Sequence, residues 1–280
     1  MSDAAPIEQR PLPLAILTYG VLAVCVLLAI FPFIYMVSLS LQSDADLYSG
    51  VPVIIPSVLQ FSNYVDIWQK APFARFVINS FVIAGGITIL HLIFDPLVGY
   101  VFAKMEFPGK NFLFGALLST LMLPFFIRMI PLYILTANMG MLNTYQGLIM
   151  PFAMSAYGIF LMRQFILPVP NELIDAARMD GAGDLRIFVD IILPQLKPAL
   201  ATVGLLTFVF QFNEFLWPLI VVSTTEMRPI TTGLTLFNQE FFTQWNLTAT
   251  GGLILFLPSF LLFILMQRYF VRSVMMSGLK

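Results

Sequence analysis

Charge is what this sequence has least of. Charged side chains make up 10% of the 280 residues and hydrophobic ones 59%, where a soluble domain carries roughly 25% charged residues. The polar interruptions leave no room for a separate aqueous domain of even ~50 residues. That leaves an N-terminal segment 1–13 and one membrane domain over 14–280. Cysteine is nearly missing too: Cys25 stands alone, which excludes an intramolecular disulfide and any Cys-based metal site. Its position in an apolar run predicts a small core hydrophobe. No catalytic constellation and no metal-ligand cluster is present, and there is one histidine. The net charge of -1 argues against a nucleic-acid-binding face. No G-x-x-x-x-G-K-[ST] loop exists, because Gly109-Lys110 has Lys104 where the first glycine belongs; ATP is not bound here by that route. Leu14 to Leu39 has no A-x-A cleavage pattern and exceeds a signal-peptide core, so it reads as a retained helix.

What the chain does have is long apolar runs. Six windows reach the ~20 residues a helix needs to cross hydrocarbon: 14–39, 73–103, 112–136, 146–165, 200–222 and 249–268. Barrel strands would alternate apolar with polar, whereas Leu253–Met266 is apolar all round, so the fold class is an all-α integral membrane protein of about six transmembrane helices. Pro32, Pro96, Pro124, Pro131, Pro151, Pro218 and Pro258 fall in or near the spans, which predicts kinks. Lys and Arg set the orientation. With the N-terminus in the cytoplasm, that side holds Arg10, Lys104, Lys110, Arg163, Arg178, Arg186, Lys197, Arg268, Arg272 and Lys280, and the other only Lys70, Arg75 and Arg228. Ten against three places both termini inside, with outer loops 40–72 and 223–248 and one long inner loop, 166–199.

That inner loop is strongly punctuated. Pro168-Val-Pro170 stops a helix, Asn171 can cap the next with Glu172 and Asp175 in its first turns, Gly181-Ala182-Gly183 permits a corner, and Asp184 can cap a second helix reaching Leu193-Pro194. Charged residues (Asp175, Arg178, Asp180, Arg186) alternate with small or apolar ones (Ala176, Ala177, Met179, Ile187). Such a knob suits a partner's groove; the alternative is a solvated connection.

The loop resembles the signature of importer permeases of the ATP-binding-cassette superfamily, E-A-A, three residues, G, nine residues, I-x-L-P. Here it reads Asp175-Ala176-Ala177, three residues, Gly181, nine residues, Ile191-Ile192-Leu193-Pro194, with Asp for the usual Glu. The chain is similar to the carbohydrate-importer branch, the maltose-transporter-like permeases, in Phe31-Pro-Phe33 with Ser38-Leu-Ser40, Asn79-Ser80, Phe107-Pro-Gly-Lys110, Leu142-Asn-Thr144, Phe212-Asn-Glu-Phe-Leu-Trp-Pro218 and the ending Gly278-Leu-Lys280; Ser273 departs where glycine is usual. The resemblance implies a type I importer permease in a bacterial or archaeal inner membrane, forming half of a pathway for a sugar or sugar derivative. It also implies a homologous second permease subunit, two ATP-binding subunits that carry ATP and Mg, an extracytoplasmic solute-binding protein, and no cofactor on this chain. Coupling to the ATPases would run through Glu172, Asp175, Ala176, Ala177, Arg178, Asp180, Gly181, Ala182, Ile191, Leu193 and Pro194. An ion-driven secondary carrier would show paired interrupted helices in related halves, and no internal repeat is present; a membrane scaffold would leave the knob without its ATPase.

Ionisable residues inside spans are expensive and mark function or pairing. They are His91, Asp95, Arg128 and Glu214. Counted at about 1.5 Å per residue from the inner ends, Arg128 and Glu214 lie at similar depth, roughly 25 and 21 Å. They either pair, fastening two helices, or face the pathway with Arg128 on the solute. Asn213 adds an amide suited to a sugar. His91 and Asp95, one turn apart, can share a local bond or, less economically, relay a proton. The pathway candidates are thus Arg128, Asn213, Glu214 and His91.

Overall fold

A computed structural model describes residues 12–51, 53–239 and 242–278, without the side chains from Arg268 onward. The expectations placed on residues 1–11, on the side chains of Arg268, Arg272 and Ser273, and on Leu279 and Lys280 lie outside this description. The principal helices are α1 (Leu12–Ser40), α2 (Phe73–Lys104), α3 (Lys110–Ser119), α4 (Phe125–Asn138), α5 (Tyr145–Ile149), α6 (Ala156–Ile166), α7 (Asn171–Met179), α8 (Asp184–Ile187), α9 (Lys197–Phe212), α10 (Leu216–Val221) and α11 (Trp245–Gly278). Apart from short helical turns between them, the regular structure among the described residues is a two-residue antiparallel pair, Asn238–Gln239 with Phe242–Thr243.

Among the described residues three helices are long and apolar enough to cross a membrane, and up to six spans result if each bent pair is one. The chain bends inside the third and fourth windows, where Pro124 and Pro151 predict kinks, and again just before the fifth. The direction changes by 105° between Lys110–Met122 and Phe125–Asn138, by 43° between Tyr145–Phe152 and Ala156–Ile166, and by 80° between Asp184–Gln195 and Lys197–Phe212. Pro124 stands at the first break, where a missing N–H and a restricted preceding residue stop the helix. The window 200–222 also contains a gap between α9 and α10, because the Glu214 carboxylate accepts from the backbone N–H groups of Leu216 (2.9 Å) and Trp217 (3.2 Å). A side chain that caps so close by competes with the continuing helix. Pro32, Pro96, Pro131 and Pro258 are carried inside their helices.

The chain forms two compact units, residues 1–70 with 237–254, and 71–236 with 255–280. In the first, α1 is exposed along its apolar length, Cys25 included; the cysteine is therefore no core residue, because no other element of the described chain covers that face. The loop after α1 is ordered by buried amides: Asn63 Nδ2 donates to the Ser40 carbonyl (2.9 Å) and the Gln42 carbonyl (3.0 Å). Asp46 sits in a capping box with Ser43 and accepts from Ser57 Oγ (2.6 Å) and Ser43 Oγ (3.0 Å). These bonds, Ser57 first, hold its carboxyl below the usual carboxylate range. A depressed folded value stabilises the loop above the unfolded value of about 3.9 and is lost as pH falls through the folded one. Amide exchange of residues 43–57 is expected to be slow above about pH 4 and to accelerate in more acid buffer. In Asp46→Asn this acid acceleration should disappear; its persistence would show that Asp46 does not order the loop.

In the second unit α2 packs against α6 and α9. Gly99 lets α6 come close: a Cβ there would lie 2.9 Å from Met162 Cβ and 3.0 Å from the Arg163 nitrogen. Asn79 donates to the carbonyls of Glu226 (2.8 Å) and Arg228 (2.9 Å), and Ser80 Oγ accepts from Ile230 N–H (2.9 Å). Asn143, at a left-handed φ of 56°, accepts from the Ser223 and Thr224 N–H groups (3.1 Å each). These two sequence landmarks thus act as ties for the segment 223–230.

Candidate functional site: the elbow and the charged cavity

The elbow after α6 is built as a corner. Its underside is apolar and covered: Ile174, Ile187, Ile192 and Leu196 are buried in one cluster with Tyr100 and Met162. Ala177, Ala182, Ile191 and Leu193 pack partly against that cluster. Glu172, Asp175, Ala176, Arg178, Asp180, Gly181 and Pro194 face outward. Gly181 takes a left-handed φ of 82°, closed by hydrogen bonds from Gly181 N–H to the Arg178 carbonyl (3.0 Å) and from Ala182 N–H to the Ala177 carbonyl (2.9 Å). Arg178 Nη2 donates to Asp184 Oδ1 across the corner at 3.1 Å, with Asp175 Oδ1 at 3.8 Å. The Asp184 bond raises the Arg178 pKa.

Two expected caps differ. Asn171 is already the first helical residue, preceded by Pro170, and Asp184 is preceded by Gly183, with no side-chain cap bond at either start. Both side chains are engaged elsewhere, Asp184 on Arg178 and Asn171 on Lys104. Ile187, expected on the docking face, is fully buried. Met179, expected on that face, is 89% exposed, and Leu185 across the corner is 70% exposed, more than the other outward apolar residues Leu173 and Val189.

Lys104, which the sequence pattern used only for orientation, is the elbow's fastening. Its ammonium donates to the Leu167 carbonyl (3.1 Å), the Val169 carbonyl (2.5 Å) and Asn171 Oδ1 (2.9 Å). All three ammonium protons are used, and the last residue of α2 is bonded to the Pro168-Val-Pro170 turn. No spacing rule links residue 104 to residues 63–67 places later, so only the folded chain displays it.

A cavity of ≈ 780 Å³ opens in the second unit, its wall including His91, Phe125, Arg128, Phe152, Gln211 and Glu214. Arg128 and Glu214 share this cavity but do not pair; among the described residues Arg128 makes no ion pair or hydrogen bond, and Glu214 Oε1 is committed to α10. Asn213 is not on the wall: its amide donates to the Val209 carbonyl (2.7 Å) and Ser259 Oγ (3.4 Å). The break at residue 213 turns the amide away from its neighbour Glu214, which a continuous helix did not anticipate. His91 touches the cavity yet is occupied, with Nδ1 2.9 Å from Asp95 Oδ2 and Nε2 2.8 Å from the Phe152 carbonyl. Asp95 Oδ1 accepts from Ser155 N–H at 3.1 Å, so this pair ties α2 to the bend between α5 and α6. Among the described residues no chain of further acids follows it, and Nδ1 and Oδ2 lie in close contact without the alignment of a hydrogen bond.

Comparison with known proteins places this architecture. The family model described as "Binding-protein-dependent transport system inner membrane component" matches residues 96–276. The chain belongs to this family. It is 34% identical to the sn-glycerol-3-phosphate transport system permease protein UgpE of Escherichia coli (strain K12) over 97% of this chain and 99% of the relative. It is 35% identical to UgpE of Yersinia enterocolitica serotype O:8 over 94% and 97%. Among solved structures, a bacterial ABC transporter involved in the import of the acidic polysaccharide alginate aligns with a TM-score of 0.82 at 26% identity, covering 92% of this chain and 96% of that one. The resemblance to ATP-binding-cassette importer permeases of the carbohydrate-importer branch therefore holds, and with it the helical type I architecture. The chain is a non-catalytic, multi-pass inner-membrane transport subunit.

Proposed function

We propose that this permease forms half of the pathway of an ATP-driven importer for a sugar or sugar derivative, moved through its elbow by ATPase subunits. The observation that carries the reading is the corner itself: the spaced signature folds with its apolar side sealed and with Met179 and Leu185 presented. The elbow is the cytoplasmic handle, and a rigid handle gripped by a second protein makes the two conformational equilibria shift together. The complete machine has two ATP-binding subunits, which hold ATP and Mg, a homologous second permease, and an extracytoplasmic solute-binding protein; this chain carries no cofactor. Glu172, Asp175, Ala176, Arg178, Asp180 and Gly181 form the contact, while Ala177, Ala182, Ile191, Leu193 and Pro194 hold its shape. The names of the relatives, which refer to sn-glycerol-3-phosphate and to alginate, support a sugar derivative as solute.

Purification from membranes in mild detergent should bring down an ATPase and a second permease. In the double variant Met179→Asp, Leu185→Asp, membrane insertion should persist while ATPase recovery falls about tenfold, the scale of losing buried anchors at an interface. A chain that purifies alone and carries solute down an ion gradient, or one that retains only non-ATPase partners, would overturn the proposal.

A further inference from the structure

Resting on the importer reading, we infer that Arg128 is the contact for an oxyanion on the solute, so that this pathway is built for an anionic polyol. The cavity wall is mostly aromatic and aliphatic. A guanidinium among such groups, within an apolar span, costs free energy unless something answers its charge. The wall also carries His91, Ser155, Tyr157, Thr207, Gln211 and Glu214, and among the described residues none of them hydrogen-bonds or ion-pairs with Arg128. Glu214 is fixed on the backbone of Leu216 and Trp217 and forms no ion pair with Arg128 among the described residues. His91 Nε2 is engaged by the Phe152 carbonyl, and Nδ1 lies against Asp95. Gln211, one turn before Glu214, is an uncharged amide. Arg128 is left exposed to the cavity just past the break at Pro124, where α4 begins. Its planar fork fits a phosphate or carboxylate by two parallel hydrogen bonds, and the Gln211 amide offers a donor and an acceptor for hydroxyls. A neutral sugar would use the amide and leave the guanidinium unmatched, so the cavity discriminates by charge.

The test uses the detergent-purified complex, with radiolabelled sn-glycerol-3-phosphate as the anionic probe and glycerol as the neutral one, each measured by equilibrium binding in the absence of the solute-binding protein. Wild type should hold the phosphate-bearing probe more tightly. Arg128→Gln should weaken it by about tenfold or more, the scale of one lost charge-assisted hydrogen bond, and leave glycerol binding unchanged, with Arg128→Lys in between. Equal binding of both probes by wild type, or full binding of sn-glycerol-3-phosphate by Arg128→Gln, would overturn the inference. A preference that vanishes when phosphatidylglycerol is added back would assign Arg128 to a lipid headgroup and overturn it too. Recovery of the ATPase and second permease is scored in parallel: if they co-purify while the charge preference fails, the importer reading stands and only this inference is lost.

Discussion

Lys104→Met is expected to leave the transporter assembled in the membrane and to lower ATP-driven uptake about tenfold. The methionine keeps the length and apolar stem of the lysine and removes three donors, stranding the Leu167 and Val169 carbonyls and Asn171 Oδ1. Water can reach the exposed Leu167 carbonyl and Asn171 Oδ1, but the part-buried Val169 carbonyl deprived of its donor costs about 1–3 kcal/mol, enough to loosen a corner without unfolding the helices that flank it. The consequence falls on coupling, because a handle transmits movement only if it is stiff where it joins the lever, and Lys104 is where α2 meets the elbow. Three measurements separate this from a general defect. Recovery of the ATPase subunits should be near normal, basal ATP hydrolysis should persist, and stimulation of hydrolysis by the loaded solute-binding protein should fall. Amide exchange in Asn171–Asp180 should quicken while that of α9 stays unchanged. Lys104→Arg should restore little, since a planar fork cannot meet three acceptors converging on one point as a rotatable ammonium does. Unaltered stimulation in Lys104→Met would remove Lys104 from the coupling path.

The parts of this architecture legible in the sequence are those written in composition and local order. Apolar runs near twenty residues locate the spans because hydrocarbon leaves backbone groups no other partner, and Gly181 marks the corner because only glycine takes its left-handed φ without strain. What the linear order hid arises from contacts made across it. The break at Glu214 depends on a carboxylate reaching two N–H groups ahead of it, and a hydropathy window does not distinguish such a break from a continuous helix. Asn213, chosen as a sugar-suited amide beside Glu214, then turns toward Ser259 and away from the cavity. Asn171 and Asp184 have the composition of caps, yet each is drawn off by a cation, Lys104 or Arg178, whose proximity follows from tertiary packing. Cys25 is apolar in context but exposed, since an all-apolar helix looks the same in sequence whether protein or lipid covers it.

The same logic makes Asp95 the residue whose loss should be felt most in folding. It is fully buried, and its two oxygens have different duties: Oδ1 takes Ser155 N–H at the bend between α5 and α6, and Oδ2 meets His91 Nδ1. A Cβ on Gly158 would lie 1.8 Å from Oδ2, so the helix opposite is cut away to admit the carboxylate. Asp95→Ala leaves the buried Ser155 N–H without its acceptor and empties a carboxylate-sized space beside His91 and Gly158, and an unsatisfied buried group costs about 1–3 kcal/mol. At 2–4 °C per kcal/mol for a chain of this size, the apparent melting temperature in detergent should drop by about 5 °C. Asp95→Asn should behave quite differently. The Phe152 carbonyl only accepts, so His91 Nε2 carries a proton; a neutral ring then accepts at Nδ1, and the asparagine amide can donate there while its oxygen keeps Ser155. Its cost should stay near 1 kcal/mol, and uptake should survive. The double variant His91→Ala, Asp95→Ala should cost less than the sum of the singles, as partners in one network do. Phe152 and Ser155 both line the cavity, so these contacts shape its wall as well as holding the bend. An Asp95→Ala protein that melts with the wild type would mean that the bend does not depend on the carboxylate.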